Sequence, residues 1–151
     1  MQKVRPKVPG QTVHVLLVED DEIDAEIVKR SFNSLTISNP ITIAQDGLEA
    51  LNILRGEEGY ERLLWPYLIL LDIKMPRMDG LEFLQAIRQD DELKPSIVFI
   101  LTTSDSEVDK EAAYANHVAG YFLKQRSGDA ILDLPTLMKN YCQLVEFPPK
   151  R

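Results

Sequence analysis

Residues 67–84, YLILLDIKMPRMDGLEFL, contain the most apolar run of the chain together with the loop and the helix start that follow it. Positions 67–71 are all apolar, which is typical of a central parallel strand that is covered on both faces. The run stops at the carboxylate of Asp72, and after Gly80 the apolar residues recur at helical spacing. This stretch therefore predicts a strand, a loop and a helix of an α/β fold, with an acidic residue at the carboxyl end of the strand.

The same alternation of apolar runs and helical spacing extends over the whole chain. The predicted strands are Val13–Val18, Ile41–Ala44, Tyr67–Leu71, Ser96–Leu101 and Tyr121–Leu123. The apolar residues that mark the predicted helices lie in Ile23–Leu35, Leu48–Leu54, Leu81–Ile87, Val108–Ala115 and Leu137–Leu144. Five strands that alternate with five helices predict a doubly wound α/β sandwich, with one five-stranded parallel sheet and right-handed crossovers.

Length, charge and cysteine content limit the classes of protein to which the chain can belong. Its 151 residues suffice for one domain, which we place at 12–146 between a flexible tail at 1–11 and a short tail at 147–151. The net charge of -7 argues against binding of nucleic acid through a basic face, so we expect proteins as partners. No apolar run approaches the roughly 18 residues of a membrane span, and Cys142, the only cysteine, excludes an internal disulfide. A cytoplasmic protein is expected.

The connection before the third predicted strand, residues 55–66, is long, polar and punctuated by glycine. A connection of this kind indicates an excursion over the protein surface. Trp65, near the end of the excursion, is expected to anchor it by packing rather than to serve as a platform for a ligand.

Charged or hydroxylic residues follow four of the five predicted strands. They are Glu19 and Asp20 after the first strand, Asp72 after the third, Thr102 after the fourth and Lys124 after the fifth. Each alone has an ordinary explanation, because acidic residues often complement a helix dipole and a terminal Thr or Lys is usually solvated. In a parallel sheet, however, the carboxyl ends of the strands share one edge, where ligands bind. Together these residues predict a functional site at that edge.

Five segments of the chain resemble the receiver domain of bacterial two-component response regulators, in the order and with the spacing of that family. They are VLLVEDD (15–21), AQDGLEAL (44–51), LILLDIKMPRMDGLEFL (68–84), ILTTSD (100–105) and GYFLK (120–124). The pattern D-x-x-M-P-x-x-D-G, which begins at Asp72, is highly specific. The resemblance implies the flavodoxin-like receiver fold with strand order 2-1-3-4-5. It also implies a phospho-accepting response regulator of a histidine-to-aspartate phosphorelay.

The resemblance implies a role for each residue in the acidic part of the site. Asp72 would be the phosphoacceptor, and Glu19 and Asp20 would be the acidic pair that holds Mg²⁺. The backbone carbonyl of Lys74 would be a further ligand of the ion. Physical reasoning agrees, because two carboxylates about 4 Å apart repel by roughly 4 kcal/mol at an effective dielectric constant of about 20. Several carboxylates in one pocket therefore favour a divalent cation, and oxygen ligands suit Mg²⁺.

The remaining residues of the family pattern would contact the phosphoryl group or respond to it. Thr102 and Lys124 would contact the phosphoryl oxygens, and Tyr121, three residues before Lys124, would turn inward as Thr102 moves. A carboxylate nucleophile is ionised at neutral pH and needs no general base. His14 and His117, the only histidines, are interpreted as structural, so the phosphohistidine donor must lie on a partner, a sensor histidine kinase.

Few residues remain after Leu144, so output is expected through docking to a downstream protein. The chain is expected to be a monomer or a weak homodimer. The long excursion and the segments LTTSD and HVAGYFLK resemble the stand-alone receivers that serve phytochrome kinases. The chain is not expected to be an enzyme, beyond taking part in its own phosphorylation and slow autodephosphorylation.

Two other functions share some of these residues. A phosphorylation-independent adaptor would keep the fold as a binding module, but it would not need the complete set of reactive side chains. A metal-dependent phosphohydrolase of the haloacid dehalogenase type also uses a strand-end aspartate as its nucleophile. That family places a second aspartate two residues later, where this chain has Lys74.

Two further positions bear on the detail of the site. Receivers usually place a proline, in a cis peptide, after the lysine of the fifth strand, whereas Gln125 follows Lys124 here. Because a cis bond before a non-proline residue costs about 2.5 to 4 kcal/mol, we predict a trans Lys124–Gln125 peptide. In the same family, hydrolysis of the phosphoryl group depends on the positions of Lys74 and Ser104. The long side chain of Lys74 predicts modest shielding of that group from water.

Overall fold

The computed structural model describes residues 12–34, 39–124 and 129–149, and over these residues it contains five strands and five helices in alternation. The strands are β1 (His14–Val18), β2 (Ile41–Ala44), β3 (Tyr67–Leu71), β4 (Ile97–Thr102) and β5 (Gly120–Leu123). The helices are α1 (Glu22–Ser34), α2 (Gly47–Arg55), α3 (Gly80–Arg88), α4 (Glu107–Ala115) and α5 (Asp129–Leu144). The predicted fold class, a doubly wound α/β sandwich, is confirmed.

All five strands are parallel, and their order in the sheet is β2-β1-β3-β4-β5, as the receiver resemblance implies. The register aligns the last residues of neighbouring strands. Val18 pairs with Ala44 on one side and with Leu71 on the other, and Thr102 pairs with Leu123. The residues that follow these strands therefore lie side by side at one edge of the sheet, which we call the carboxyl edge. The opposite edge, where the strands begin, is the amino edge.

Side chains of the sheet form a core on each of its faces. One core packs against α2, α3 and α4, and the other packs against α1 and α5. Every residue of β3 is buried, with Ile69 and Leu71 in the first core and Leu68 and Leu70 in the second. This burial confirms that residues 67–71 form a central strand that is covered on both faces.

The helical spacing of apolar residues located the helices but did not always identify the side that faces the core. Ile23, Val108 and Leu144 belong to that spacing, yet they are 73%, 73% and 80% exposed. In α1 the core contacts come instead from residues farther along the helix, including Val28 and Phe32, which are buried. Helix ends therefore carry apolar side chains that the core does not use.

The long connection before β3 returns to the sheet at the amino edge, where Trp65 packs as an anchor. Its ring contacts Tyr67 edge-on at a centroid distance of 5.2 Å and Phe147 at 5.9 Å. The indole N–H donates a hydrogen bond to the Pro148 carbonyl oxygen at 3.1 Å. Phe147 is buried, so the packed region reaches past residue 146.

Some predictions concern residues that the structure does not describe. They are the N-terminal tail at 1–11, the helical position of Leu35 and the Lys124–Gln125 peptide, whose trans geometry stays a prediction. Within the described ranges, no helix combines the length and the apolar character that crossing a membrane requires.

Candidate functional site at the carboxyl edge

The residues predicted to form the site meet at the carboxyl edge. The backbone N–H of Asp72 donates to the carbonyl oxygen of Val18 at 3.0 Å, which places Asp72 beside Glu19 at the ends of adjacent strands. The backbone N–H of Lys124 donates to the carbonyl oxygen of Thr102 at 2.8 Å. These two bonds continue the backbone hydrogen bonding of the sheet past the last strand residues, and they therefore fix the direction in which the side chains leave the sheet.

The ammonium group of Lys124 lies among three carboxylates. Its Nζ is 2.8 Å from Asp24 Oδ2, 2.9 Å from Glu19 Oε1 and 3.5 Å from Asp72 Oδ2. The side chain of Lys124 is only 4% exposed, so its charge is balanced by these partners rather than by water. Burial acts to lower the pKa of Lys124, but the hydrogen bonds to Asp24 and Glu19 outweigh burial and raise the pKa. Lys124 is therefore a fixed cation at neutral pH.

The carboxylates around Lys124 carry more negative charge than one ammonium group balances. Burial, followed by repulsion from Asp72, raises the pKa of Glu19 to about 7 against the opposing effect of Lys124. Glu19, Asp20 and Asp72 each present a carboxylate oxygen, and these oxygens lie within 4.8 Å of one another. A donor set made only of oxygens, with accumulated negative charge, fits a Mg²⁺ ion, whose charge relieves the repulsion.

The loop after Asp72 is held tightly against the end of β3 by Gly80. The backbone N–H of Gly80 donates to the carbonyl oxygen of Ile73 at 2.8 Å. A Cβ atom at position 80 would collide with the backbone oxygen of Asp72, so only glycine allows α3 to begin this close to the strand. Asp79 caps α3 in a capping box with Glu82. The Asp-Gly pair of the motif thus determines the backbone conformation around Asp72.

Lys74 lies in the same loop, and its side chain forms an ion pair with α4. Its Nζ is 3.6 Å from Oδ2 of Asp109, whose side chain is 12% exposed. The same oxygen of Asp109 accepts a hydrogen bond from the Ser104 hydroxyl at 2.5 Å. One carboxylate therefore contacts both Lys74 and Ser104, the two positions that the receiver resemblance connects with hydrolysis of the phosphoryl group.

Thr102 and Tyr121 are both bonded to Ser104. Strand β4 ends one residue later than predicted, so Thr102 is the last strand residue, and it is fully buried. Its Oγ1 accepts a hydrogen bond from the Ser104 N–H at 3.3 Å. The Tyr121 hydroxyl donates to the Ser104 carbonyl oxygen at 2.8 Å, and burial raises the pKa of Tyr121, so this donor stays protonated. A change at Thr102 can reach Tyr121 through a single residue of the β4–α4 loop.

Sequence reasoning missed two carboxylates of this region, Asp24 and Asp109. Both lie in the first turn of a helix that starts at the carboxyl edge. An acidic residue at that place is usually explained by the helix dipole or by bonds to free amide groups, so its residue type alone does not indicate a site. The available signal was position, because the first turn of a helix that follows a parallel strand lies close to the ligand-binding edge of the sheet.

Comparisons with known proteins agree with the fold. The family model described as response regulator receiver domain matches residues 15–134. Response regulator Rcp1 of Synechocystis sp. is 41% identical over 113 residues, which are 75% of this chain and 77% of Rcp1. The family match and this relative each span most of the chain.

Two solved response regulator structures, one with bound Mn²⁺ and one phosphorylated, are similar to this structure. The crystal structure of the Mn²⁺-bound form of Rcp1 gives a TM-score of 0.80 at 35% identity, and the match covers 90% of this chain and 99% of that one. The phosphorylated cyanobacterial phytochrome response regulator RcpA gives a TM-score of 0.80 at 30% identity, covering 88% of this chain and 95% of RcpA. With its strand order and acidic cluster, the chain belongs to the family of response regulator receiver domains, which accept a phosphoryl group in two-component signalling.

Proposed function

We propose that Asp72 is the residue of this chain that accepts the phosphoryl group. The observation that carries the proposal is its surroundings, a buried ammonium group and two further carboxylates at the end of the central strand. Asp72 Oδ1 accepts a hydrogen bond from the N–H of Ile73 at 2.7 Å, while Oδ2 lies 3.5 Å from Lys124. A carboxylate held in this way is a nucleophile that is already positioned beside positive charge.

The proposed ligands of Mg²⁺ are the carboxylates of Glu19, Asp20 and Asp72 and the backbone carbonyl of Lys74. When bound, the ion would neutralise part of the charge of the phosphoryl group during transfer. Glu19 is buried and bonded to Lys124, whereas Asp20 is exposed. The acidic pair thus offers one oxygen donor that is held in place and one that solvent reaches freely.

Lys124 and Thr102 are proposed to bind the oxygens of the transferred group. Phosphoryl transfer through a loose transition state depends on positioned positive charge, and Lys124 brings that charge to within 3.5 Å of Asp72. On phosphorylation the Thr102 hydroxyl would donate to a phosphoryl oxygen, and the movement of the side chain would break the bond that its oxygen accepts from the Ser104 N–H. Loss of that bond would loosen the Ser104 carbonyl from Tyr121, which is the proposed switch.

The donor is proposed to be the phosphohistidine of a sensor histidine kinase of the phytochrome type. The support for this type is the likeness to a phytochrome response regulator. The signal would pass by docking to a downstream protein in the cytoplasm, with the chain as a monomer or weak homodimer. The net charge of -7 supports a protein partner over nucleic acid, and no membrane partner is proposed. The functional unit would be residues 12–146 together with the packed Phe147.

The chain would take part in its own phosphorylation and slow autodephosphorylation rather than act as an enzyme on a separate substrate. A phosphohydrolase of the haloacid dehalogenase type needs a carboxylate two residues after the nucleophile. Lys74 occupies that position, and its amine lies 3.6 Å from the carboxylate of Asp109. A phosphorylation-independent adaptor would need neither the acidic cluster nor the buried Lys124.

Incubation with acetyl phosphate and Mg²⁺, followed by measurement of the intact mass, tests the proposal. The wild type should gain a single labile phosphoryl group, and Asp72→Asn, which nearly preserves side-chain volume, should gain none. The matched control is Asp91→Asn, because the side chain of Asp91 is 89% exposed and far from the chemistry in sequence; it should label like the wild type. Stoichiometric labelling of Asp72→Asn would overturn the assignment. Rapid turnover of acetyl phosphate, with no accumulation of phosphorylated protein, would indicate a phosphohydrolase.

A further inference from the structure

Asp24 makes the shortest of the three contacts that hold the Lys124 ammonium group. The Nζ–Oδ2 distance is 2.8 Å for Asp24 and 3.5 Å for Asp72. Charge-assisted N–H···O bonds are about 2.7–2.9 Å long, so Lys124 is fully bonded to Asp24 and to Glu19 but only loosely to Asp72. The lysine of the site is therefore held beside the nucleophile rather than on it.

The start of α1 fixes the position of Asp24. Oδ1 of Asp21 accepts hydrogen bonds from the N–H groups of Ile23 at 2.9 Å and of Asp24 at 3.2 Å, which orders the first turn of the helix. Asp24 does not belong to the group of carboxylates that can meet around one cation. A cation bound to Glu19 would therefore leave Asp24 as a partner of Lys124.

We propose that Asp24 is a positioning residue that draws the Lys124 ammonium group away from Asp72 before phosphorylation. The proposal rests on the proposed function of Asp72. An ammonium group has three N–H donors, and loss of Asp24 frees one of them to turn to the Asp72 carboxylate. A cation bonded directly to Asp72 competes with Mg²⁺ for the same oxygens and makes the carboxylate a weaker nucleophile. Asp24 thus keeps the nucleophile open while Lys124 stays within reach of it.

Calorimetric titration of Mg²⁺ into the wild type, Asp24→Asn and Asp24→Ala tests this inference without phosphorylation. We expect the affinity for Mg²⁺ to fall about tenfold in both variants, because the freed ammonium group competes for Asp72. Glu22→Gln is the matched control, since Glu22 lies in the same helical turn and lines the same acidic groove beside Glu19 and Asp20. Removal of a negative charge there should lower the affinity about twofold or less.

A second set of variants separates competition by Lys124 from simple loss of negative charge. In a Lys124→Met background no ammonium group can move to Asp72, so Asp24→Asn should change the affinity no more than Glu22→Gln does. A large and equal loss in both backgrounds would overturn the proposal, as would a loss no greater than that of the control. If Lys124→Met does not fold, the comparison of Asp24→Asn with Glu22→Gln decides alone. Absence of Asp72 labelling, with the coupling intact, would overturn only the proposed function.

Discussion

Each edge of the sheet holds a cation, the half-buried Arg88 at the amino edge and the buried Lys124 at the carboxyl edge, but different partners surround the two. Arg88, at the amino edge, donates to four backbone carbonyl oxygens near the starts of β4 and β5, at 2.6 to 3.0 Å. Lys124, at the carboxyl edge, faces three carboxylates. Burial lowers the pKa of Arg88, whereas at Lys124 the carboxylate hydrogen bonds outweigh burial and raise the pKa.

This difference separates a cation that holds the fold together from one that is proposed to take part in phosphoryl transfer. Neutral carbonyl groups satisfy the donors of a guanidinium group and leave no excess of negative charge. His117, whose backbone carbonyl is one of these acceptors, lies at the amino edge rather than beside the acidic cluster. Carboxylates around an ammonium group leave negative charge that a divalent cation can use. The chemistry that each cation supports thus follows from the groups that surround it.

Replacement of each cation by methionine should give the largest effects, and Mg²⁺ should distinguish them. Arg88→Met leaves four carbonyl oxygens without their donor, so we expect the free energy of unfolding to fall by about 3 to 5 kcal/mol with or without Mg²⁺. Lys124→Met leaves buried carboxylates facing one another and should cost a similar amount in metal-free buffer. Saturating Mg²⁺ should recover most of this second loss, because the ion binds more tightly to carboxylates that no ammonium group occupies.

Urea denaturation with and without Mg²⁺ measures both losses. Lys94→Met is the control, since the Lys94 side chain is 52% exposed, and it should change the free energy of unfolding by about 0.5 kcal/mol or less. If Mg²⁺ stabilised Lys124→Met no more than it stabilises the wild type, the contrast between the two edges would be wrong.

The raised pKa of Glu19 predicts a pH dependence that originates at the carboxyl edge. The ordinary pKa of glutamate is 4.5, and that of Glu19 is about 7 in the folded, metal-free protein. Between these values the folded protein retains a proton that the unfolded chain has lost, so its stability falls as the pH rises through this window. Glu19→Gln is neutral at every pH and avoids this loss. It should gain about 3 kcal/mol relative to the wild type between pH 4.5 and pH 7.

Urea denaturation in metal-free buffers across this pH range measures the difference between Glu19→Gln and the wild type. Glu22→Gln, an exposed residue of the neighbouring turn, should follow the wild-type pH profile with a constant offset. A constant difference for Glu19→Gln as well would show that burial and Asp72 do not perturb the Glu19 carboxyl group.

The fold was predictable because its signals are local in the sequence. A run such as residues 67–71, without a charged side chain, is typical of a strand covered on both faces, and the observed burial agrees. The meeting of Glu19, Asp72 and Lys124 followed from topology alone, because every parallel strand delivers its last residue to the same edge.

The partners within the site were not predictable in the same way. Lys124 pairs with Asp24, which lies 100 residues away in sequence, in preference to the nearby Asp72. Likewise, the Lys74 amine lies against α4 rather than over the nucleophile. Differences of less than 1 Å in distance decide which of several carboxylates a flexible side chain binds. The spacing of residues in the sequence carries no information at that scale.

The smallest expected effect concerns the lifetime of the phosphoryl group. Lys74, which is expected to shield that group, forms an ion pair with Asp109 of α4. The Lys74 amine, 3.6 Å from the Asp109 carboxylate, has a competing partner in the unphosphorylated protein. A phosphoryl group adds close to two negative charges, which attract Lys74 away from that partner. We expect Lys74→Ala to speed the loss of phosphate about threefold, because it removes a side chain that obstructs the attacking water. An unchanged rate would refute shielding by Lys74.

Asp109→Asn should have the opposite effect and slow the loss of phosphate about twofold, because a released Lys74 spends more time beside the phosphoryl group. If Asp109 acts through Lys74, its effect must disappear in a Lys74→Ala background, and the double variant should decay as fast as Lys74→Ala alone. Glu111→Gln is the matched control, since it removes an exposed carboxylate of the same helix, and it should lose phosphate at the wild-type rate. Intact-mass measurements at intervals after removal of acetyl phosphate give these rates. An equal effect of Asp109→Asn in both backgrounds would instead assign its influence to the hydrogen bond between Asp109 and Ser104 in the β4–α4 loop.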